Sequence, residues 1–109
     1  MYEYKCEIAR VIDGDTVDVN IDLGFGIHTF KRIRIEGIDT PEVRGEERKA
    51  GLAVKELVEA LLPVGSKTVV RVSGRGKYGR WIGDLQLNDY HTLGEYLVLW
   101  GLAKEVDYK

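Results

Sequence analysis

Thr16-Val17-Asp18-Val19-Asn20-Ile21-Asp22-Leu23 alternates without a break, Val17, Val19, Ile21 and Leu23 being apolar and the residues between them polar. A period of two sends one set to each face of a strand, so this stretch is half-buried β-strand. Upstream, Asp13-Gly14 is a turn signal, and residues 2–12 read as a strand whose alternation is imperfect. Downstream, Gly24-Phe25-Gly26 is a loop. His28 to Ile35 forms a third strand with Ile33 and Ile35 on one face and Arg32 and Arg34 on the other.

Further along, the period changes. Glu36 to Arg44 carries Gly37 and Pro41 and reads as loop. From about Glu46 to Leu62 the spacing becomes helical, Ala50, Val54, Leu57 and Leu61 forming a stripe with Ala53 and Val58 beside it. Pro63 and Gly65 end that helix. Lys67 to Ser73 is a fourth strand, Gly74 to Gly79 a mobile loop, and Trp81 to Leu87 a fifth strand. Thr92 and Glu95 make a capping box that starts a second helix, which Gly101 stops. Five short strands, mostly consecutive, and two helices predict a mainly-β α+β fold, a small barrel with helices attached.

A chain of 109 residues suits a single domain spanning residues 1–109. With 44% apolar and 31% charged residues it has the composition of a globular protein with a core, not of a disordered tail. The single cysteine, Cys6, excludes an internal disulfide and a cysteine zinc site, and its strand setting suits a buried small hydrophobe. No apolar run is long enough to span a membrane, and the first residues lack a signal-peptide layout, so a cytoplasmic location is expected unless a leader precedes them. The net charge of −2 argues against a general nucleic-acid coat. Locally the balance differs. Pro63 to Gly83 holds Lys67, Arg71, Arg75, Lys77 and Arg80 with no acid, although a solvated face is the ordinary meaning of such a run.

Two motif matches fail on context. Gly74-Arg75-Gly76-Lys77-Tyr78-Gly79 fits a dinucleotide fingerprint, but strand-like sequence follows it where a helix N-terminus is needed. Asp13-Gly14-Asp15-Thr16-Val17-Asp18 begins like a calcium loop, yet Val17 and Asp18 stand where an EF-hand requires Asp or Asn and then Gly. His28 and His91 show no partnership with Cys6, and Ser66 and Ser73 lack a nucleophile-elbow context, which disfavours a protein nucleophile. Arg34-Ile35-Glu36-Gly37-Ile38-Asp39-Thr40-Pro41-Glu42 is different. Three carboxylates and an arginine follow a strand, and Pro41 restricts the torsions around Asp39 and Glu42. That is a way to fix one carboxylate on a cation and another on a water, although a polar turn is the plainer alternative.

Val11-Ile12-Asp13-Gly14-Asp15-Thr16-Val17, then Arg34 with Gly37-Ile38-Asp39-Thr40-Pro41-Glu42, then Lys77-Tyr78-Gly79-Arg80, resemble in order and spacing the motifs of the staphylococcal-nuclease-like (thermonuclease) family. The resemblance runs from about Ala9 to Lys104 and implies an OB-fold barrel with a calcium-dependent phosphodiesterase site. By that resemblance Asp15 and Asp39 supply metal carboxylates and Thr40 its carbonyl; magnesium or manganese would accept the same oxygens. Arg34 binds the scissile phosphate, Glu42 orients or deprotonates the attacking water, and Arg80 stabilises charge on the phosphate and leaving oxygen. Lys77 and Tyr78 are implied substrate contacts, Tyr78 by stacking on a base or sugar. The implied reaction cleaves single-stranded or breathing DNA, and RNA, to 3′-phosphates. A monomer is expected.

The chain departs from the longer members. Asp107 stands where one of two late tyrosines is expected, the segment before the first helix is short, and no C-terminal helix follows, so a minimal member is expected, similar to short phage or bacterial forms. Two rival readings are a non-catalytic OB-fold nucleic-acid-binding module with a decayed site, and a structural barrel whose site residues form surface ion pairs. Asp15, Arg34, Asp39, Glu42 and Arg80 occurring together weigh against the first of these, because a passive binder needs bases and not this acid set, and the structural barrel ranks below it.

Overall fold

The computed structural model describes residues 2–106. Strands β1 (Tyr2–Asp13), β2 (Thr16–Asp22), β3 (His28–Ile35), β4 (Ile38–Asp39), β5 (Lys67–Arg75), β6 (Trp81–Leu85) and β7 (Lys104–Glu105) are joined by helices α1 (Arg48–Leu61) and α2 (Leu93–Leu99). Five of the strands close a barrel in the order β1-β2-β3-β6-β5, while β4 and β7 form a separate two-stranded pair. Only β3 and β6 run parallel; the other barrel neighbours are antiparallel. This is the five-stranded, OB-type α+β barrel with two helices that the sequence predicts.

The alternation in β2 does what its period requires. Val17, Val19 and Ile21 are fully buried and meet Ile33 and Ile35 from β3, Ile8 and Val11 from β1, Val70 from β5 and Leu85 from β6. Each such side chain contributes roughly 1.5–3 kcal/mol by leaving water, enough in aggregate to close the barrel without staples. The broken alternation of β1 also has a cause. Register shifts between Ile8 and Arg10, and between Val11 and Asp13, mark bulges, so the inward phase passes from Cys6 and Ile8 to Val11. Cys6 is buried and its thiol is pushed up to about 11 by burial, which fits the packing role expected of it.

Several boundaries move. The first helix begins with a 3₁₀ turn, Gly45–Glu47, and its buried stripe is Gly51, Val54 and Val58, continued by Leu62; Ala50 and Ala53 are exposed. The stripe is rotated because glycine, which carries no hydropathy signal, occupies the face nearest the protein. β5 extends through Arg75, a 3₁₀ turn takes Lys77–Gly79, and β6 ends at Leu85. The second helix carries the capping box expected of it: Glu95 N–H donates to Thr92 Oγ1 at 3.2 Å, and Thr92 N–H to Glu95 Oε1 at 2.9 Å. The β4–β7 pair is too short to show any period. Asp107 lies outside the described residues. Among the described residues no helix is long and apolar enough to cross a membrane.

Candidate active site

The β1–β2 turn delivers the first carboxylates. Asp13 opposes Thr16 across the hairpin, and Asp15 N–H donates to Asp13 Oδ1 at 3.1 Å, the local bond expected of an aspartate turn. Gly14 is needed here for space. A Cβ on it would lie 2.6 Å from Val54 Cγ1 and 2.9 Å from Thr40 Oγ1, so a larger residue would push α1 and the Thr40 segment away.

Asp15, at 6% exposure, is the hub of the site. Thr40 N–H donates to its Oδ2 at 3.1 Å, Thr16 Oγ1 to its Oδ1 at 3.1 Å, and Arg34 Nη2 lies 3.4 Å from Oδ2. The same Arg34 nitrogen is 3.7 Å from Asp39 Oδ1, and Nη1 donates to the Ile35 carbonyl at 2.9 Å. Arg34 therefore bridges two carboxylates that are 24 residues apart in the chain. Burial pushes Asp13 up to about 7, helped by the hydrogen bond and negative charge of Asp15. Burial also opposes the charge on Asp15, but the bonds from Asp13, Thr40 and Thr16 and the charge of Arg34 outweigh it and hold Asp15 below its ordinary value. Of the two neighbouring carboxyls, Asp13 therefore holds a proton the more tightly.

These groups open into a cleft of about 400 Å³ whose lining includes Asp13, Asp15, Arg34, Asp39, Glu42 and Arg80, together with Thr40. Six of the eight residues singled out in the sequence share this cleft: Asp15, Arg34, Asp39, Thr40, Glu42 and Arg80. Lys77 and Tyr78 do not line it. Tyr78 is 93% exposed with φ +62°, a left-handed conformation uncommon for a tyrosine. The Lys77 carbonyl accepts from Arg80 Nε at 3.3 Å, just before β6. A larger groove of about 490 Å³, walled by Cys6 and Lys67, contains none of the eight.

Sequence reading missed four contributors. Asp13 and Thr16 were legible only as turn and strand residues, although an aspartate two positions before another, followed by a hydroxyl, is a signal of a shared polar site. Arg44 also lines the cleft. Gly51 is the least legible, because a Cβ there would overlap the Glu42 carbonyl and come within 2.8 Å of the Pro41 carbonyl. The helix thereby seats the backbone of the segment that carries Glu42.

The donor set suits a hard divalent cation. It is all oxygen, it includes the Asp15 and Asp39 carboxylates with Thr40 beside them in the cleft lining, and its negative charge is offset by Arg34. Thr40 Oγ1 is a buried oxygen with no hydrogen-bond partner among the described residues, one more acceptor at the base of the cleft. No group of three or more acids, histidines or cysteines stands at ligand spacing among those residues.

A closed five-stranded barrel with a carboxylate–arginine cleft at the mouth of its β2–β3 hairpin defines the class of protein. The chain belongs to the family described as staphylococcal nuclease homologue, whose model matches residues 32–109. That match contains Arg34, Asp39, Thr40, Glu42 and Arg80 but begins after Asp15, which the barrel supplies. The chain is 26% identical over 106 residues to the succinoglycan biosynthesis protein ExoI of Rhizobium meliloti (strain 1021), covering 91% of this chain and 51% of that protein. It is 28% identical over 96 residues to an uncharacterized endonuclease of Escherichia coli O157:H7, covering 88% of this chain and 57% of that protein. The chain therefore spans about half the length of these curated relatives.

Proposed function

We propose that residues 1–109 act as a single, monomeric nuclease domain that hydrolyses phosphodiester bonds of single-stranded or breathing DNA and of RNA. The observation that carries this reading is Arg34 held between Asp15 and Asp39 in the cleft that Glu42 and Arg80 also line. Family membership and the endonuclease relative support it.

Asp15, Asp39 and the Thr40 carbonyl would hold the cation, for which calcium is the preferred candidate because it tolerates irregular oxygen shells. When bound, the ion supplies Lewis-acid stabilisation of the charge that gathers on a phosphate under attack. Arg34 binds the scissile phosphate, its planar fork matching two phosphate oxygens better than an ammonium would. Glu42 accepts the proton of the attacking water as the new P–O bond forms. The P–O5′ bond breaks, the 5′-oxygen takes a proton from solvent, and a 3′-phosphate remains. Arg80 stabilises charge on the phosphate and on the departing oxygen; as a guanidinium it stays protonated throughout.

The test is a time course on heat-denatured DNA with calcium and with excess chelator, run beside Glu42→Ala prepared identically. Calcium-dependent cleavage that fails in the variant, with 3′-phosphate ends, is the expected result. Equal cleavage by the variant, or cleavage unaffected by chelator, overturns the reading.

A further inference from the structure

Beyond the cleft, the outer face of β1–β2–β3 carries a graded row of side chains that begins at Arg34. We propose that this face is the track along which a single strand approaches the cleft, with Arg10 and Arg32 meeting the phosphate next to the one at Arg34 and Phe30 stacking on a base beyond it. This deepens the nuclease reading and rests on it for the direction of the strand.

Register fixes the face. Thr16 opposes Arg34, Asp18 opposes Arg32 and Asn20 opposes Phe30, so Arg34, Arg32 and Phe30 project on one side while Ile33 and Ile35 fill the core. Successive members of the row are about 7 Å apart along the strand, close to the length of one extended nucleotide. In the middle position Asp18 is buried and accepts from Arg32 Nε at 2.8 Å and Nη2 at 3.1 Å. That pair fixes the guanidinium over Asp18. Arg10 opposes Asp18 from β1 and is exposed, so the position carries two arginines over one carboxylate and keeps a net positive charge.

The third position is of a different kind. Phe30 is 61% exposed on a regular strand, where a phenyl ring gains little from the core. Beside it runs a groove of about 570 Å³ lined by Phe30, Asn20, His28 and Val64. Glu7, which opposes Asn20, adds an acid here, so phosphate contacts end at the second position and the third offers a ring face and an amide. Positive charge tracking a backbone, followed by an aromatic platform, is how single strands are held without sequence preference. A duplex presents no free base face to Phe30.

The test measures binding in excess chelator, so that its outcome does not depend on cleavage. Fluorescein-labelled dT8 and dT2 are titrated by anisotropy against the parent, Phe30→Ala, Phe30→Trp, Arg10→Gln and Arg32→Gln. The parent is expected to bind dT8 well above dT2. Phe30→Ala should remove most of that gain, roughly 5- to 100-fold in Kd, and Phe30→Trp should restore it. Each arginine variant should lower the slope of log Kd against log salt by about 0.7. Because Phe30 and Arg10 are exposed, those variants keep the fold even if Arg32→Gln, which strands Asp18, does not. Parent-like dT8 affinity in Phe30→Ala, equal loss in the control Tyr90→Ala, equal binding of an eight-base-pair duplex, or no dT8 binding by the parent overturns the track. The cleavage assay is scored separately, so a track that fails leaves the nuclease reading standing, and the reverse also holds.

Discussion

Asp13 and Asp15 are two residues apart, yet their environments drive them in opposite directions. The raised value of Asp13 has a consequence for stability. Its folded value of about 7 lies above the ordinary aspartate value of 3.8, so the folded state binds more protons than the unfolded one between those two values. In excess chelator, stability should therefore fall as pH rises from about 5 through 7, and Asp13→Asn should flatten that slope. Denaturant midpoints at pH 5, 6, 7 and 8 check it; a parent that gains stability over that range contradicts the assignment. At the same scale, Arg34→Ala should lower turnover by on the order of 100-fold or more, because a charge-stabilising donor is lost where the phosphate gains charge. Unchanged single-turnover rates would remove Arg34 from the site. Of these residues, Arg34, Asp39, Thr40 and Glu42 are legible in one continuous segment. Asp13 is not, because its role depends on how far burial removes it from water.

At the scale of elements, helix α1 and the segment it supports depend on Gly51. Replacing glycine by alanine inside a helix ordinarily gains about 1 kcal/mol. Here the new methyl would overlap the Glu42 carbonyl, so Gly51→Ala should lower the melting temperature and depress turnover together. Circular-dichroism melts beside cleavage rates decide this, and a more stable, fully active variant would refute the close approach. Helix α2 is simpler. Thr92→Ala should cost about 1 kcal/mol through loss of the cap, with no change in the rate per folded molecule. The contrast explains what sequence could predict about each helix. The capping box is a local pattern of two residues, whereas the reason for Gly51 lies in a backbone carbonyl nine positions away in the chain.

Across the whole molecule, one closed barrel both forms the core and sets the site. β3 runs from the exposed Phe30 to Arg34 at the cleft, and its other face is Ile33 and Ile35 in the core. If a cation is held by Asp15 and Asp39, it stabilises only the folded chain. Calcium at about 100 times its dissociation constant should then add about 2.7 kcal/mol, raising the melting temperature, and chelator should reverse it. Asp15→Ala should lose most of this response, and an identical calcium-induced shift in the variant would strike Asp15 from the ligand set. The sequence by itself determined the five barrel strands and both helices to within a few residues, and marked the segment Arg34–Glu42, since all of these are written in short periods and contiguous motifs. Only the tertiary structure decided that Arg34 bridges Asp15 and Asp39, that burial raises Asp13, that Gly51 seats Glu42, and that Lys77 and Tyr78 stand outside the cleft. Those facts are distances between groups that barrel closure brings together, and no local period in a chain encodes a distance through space.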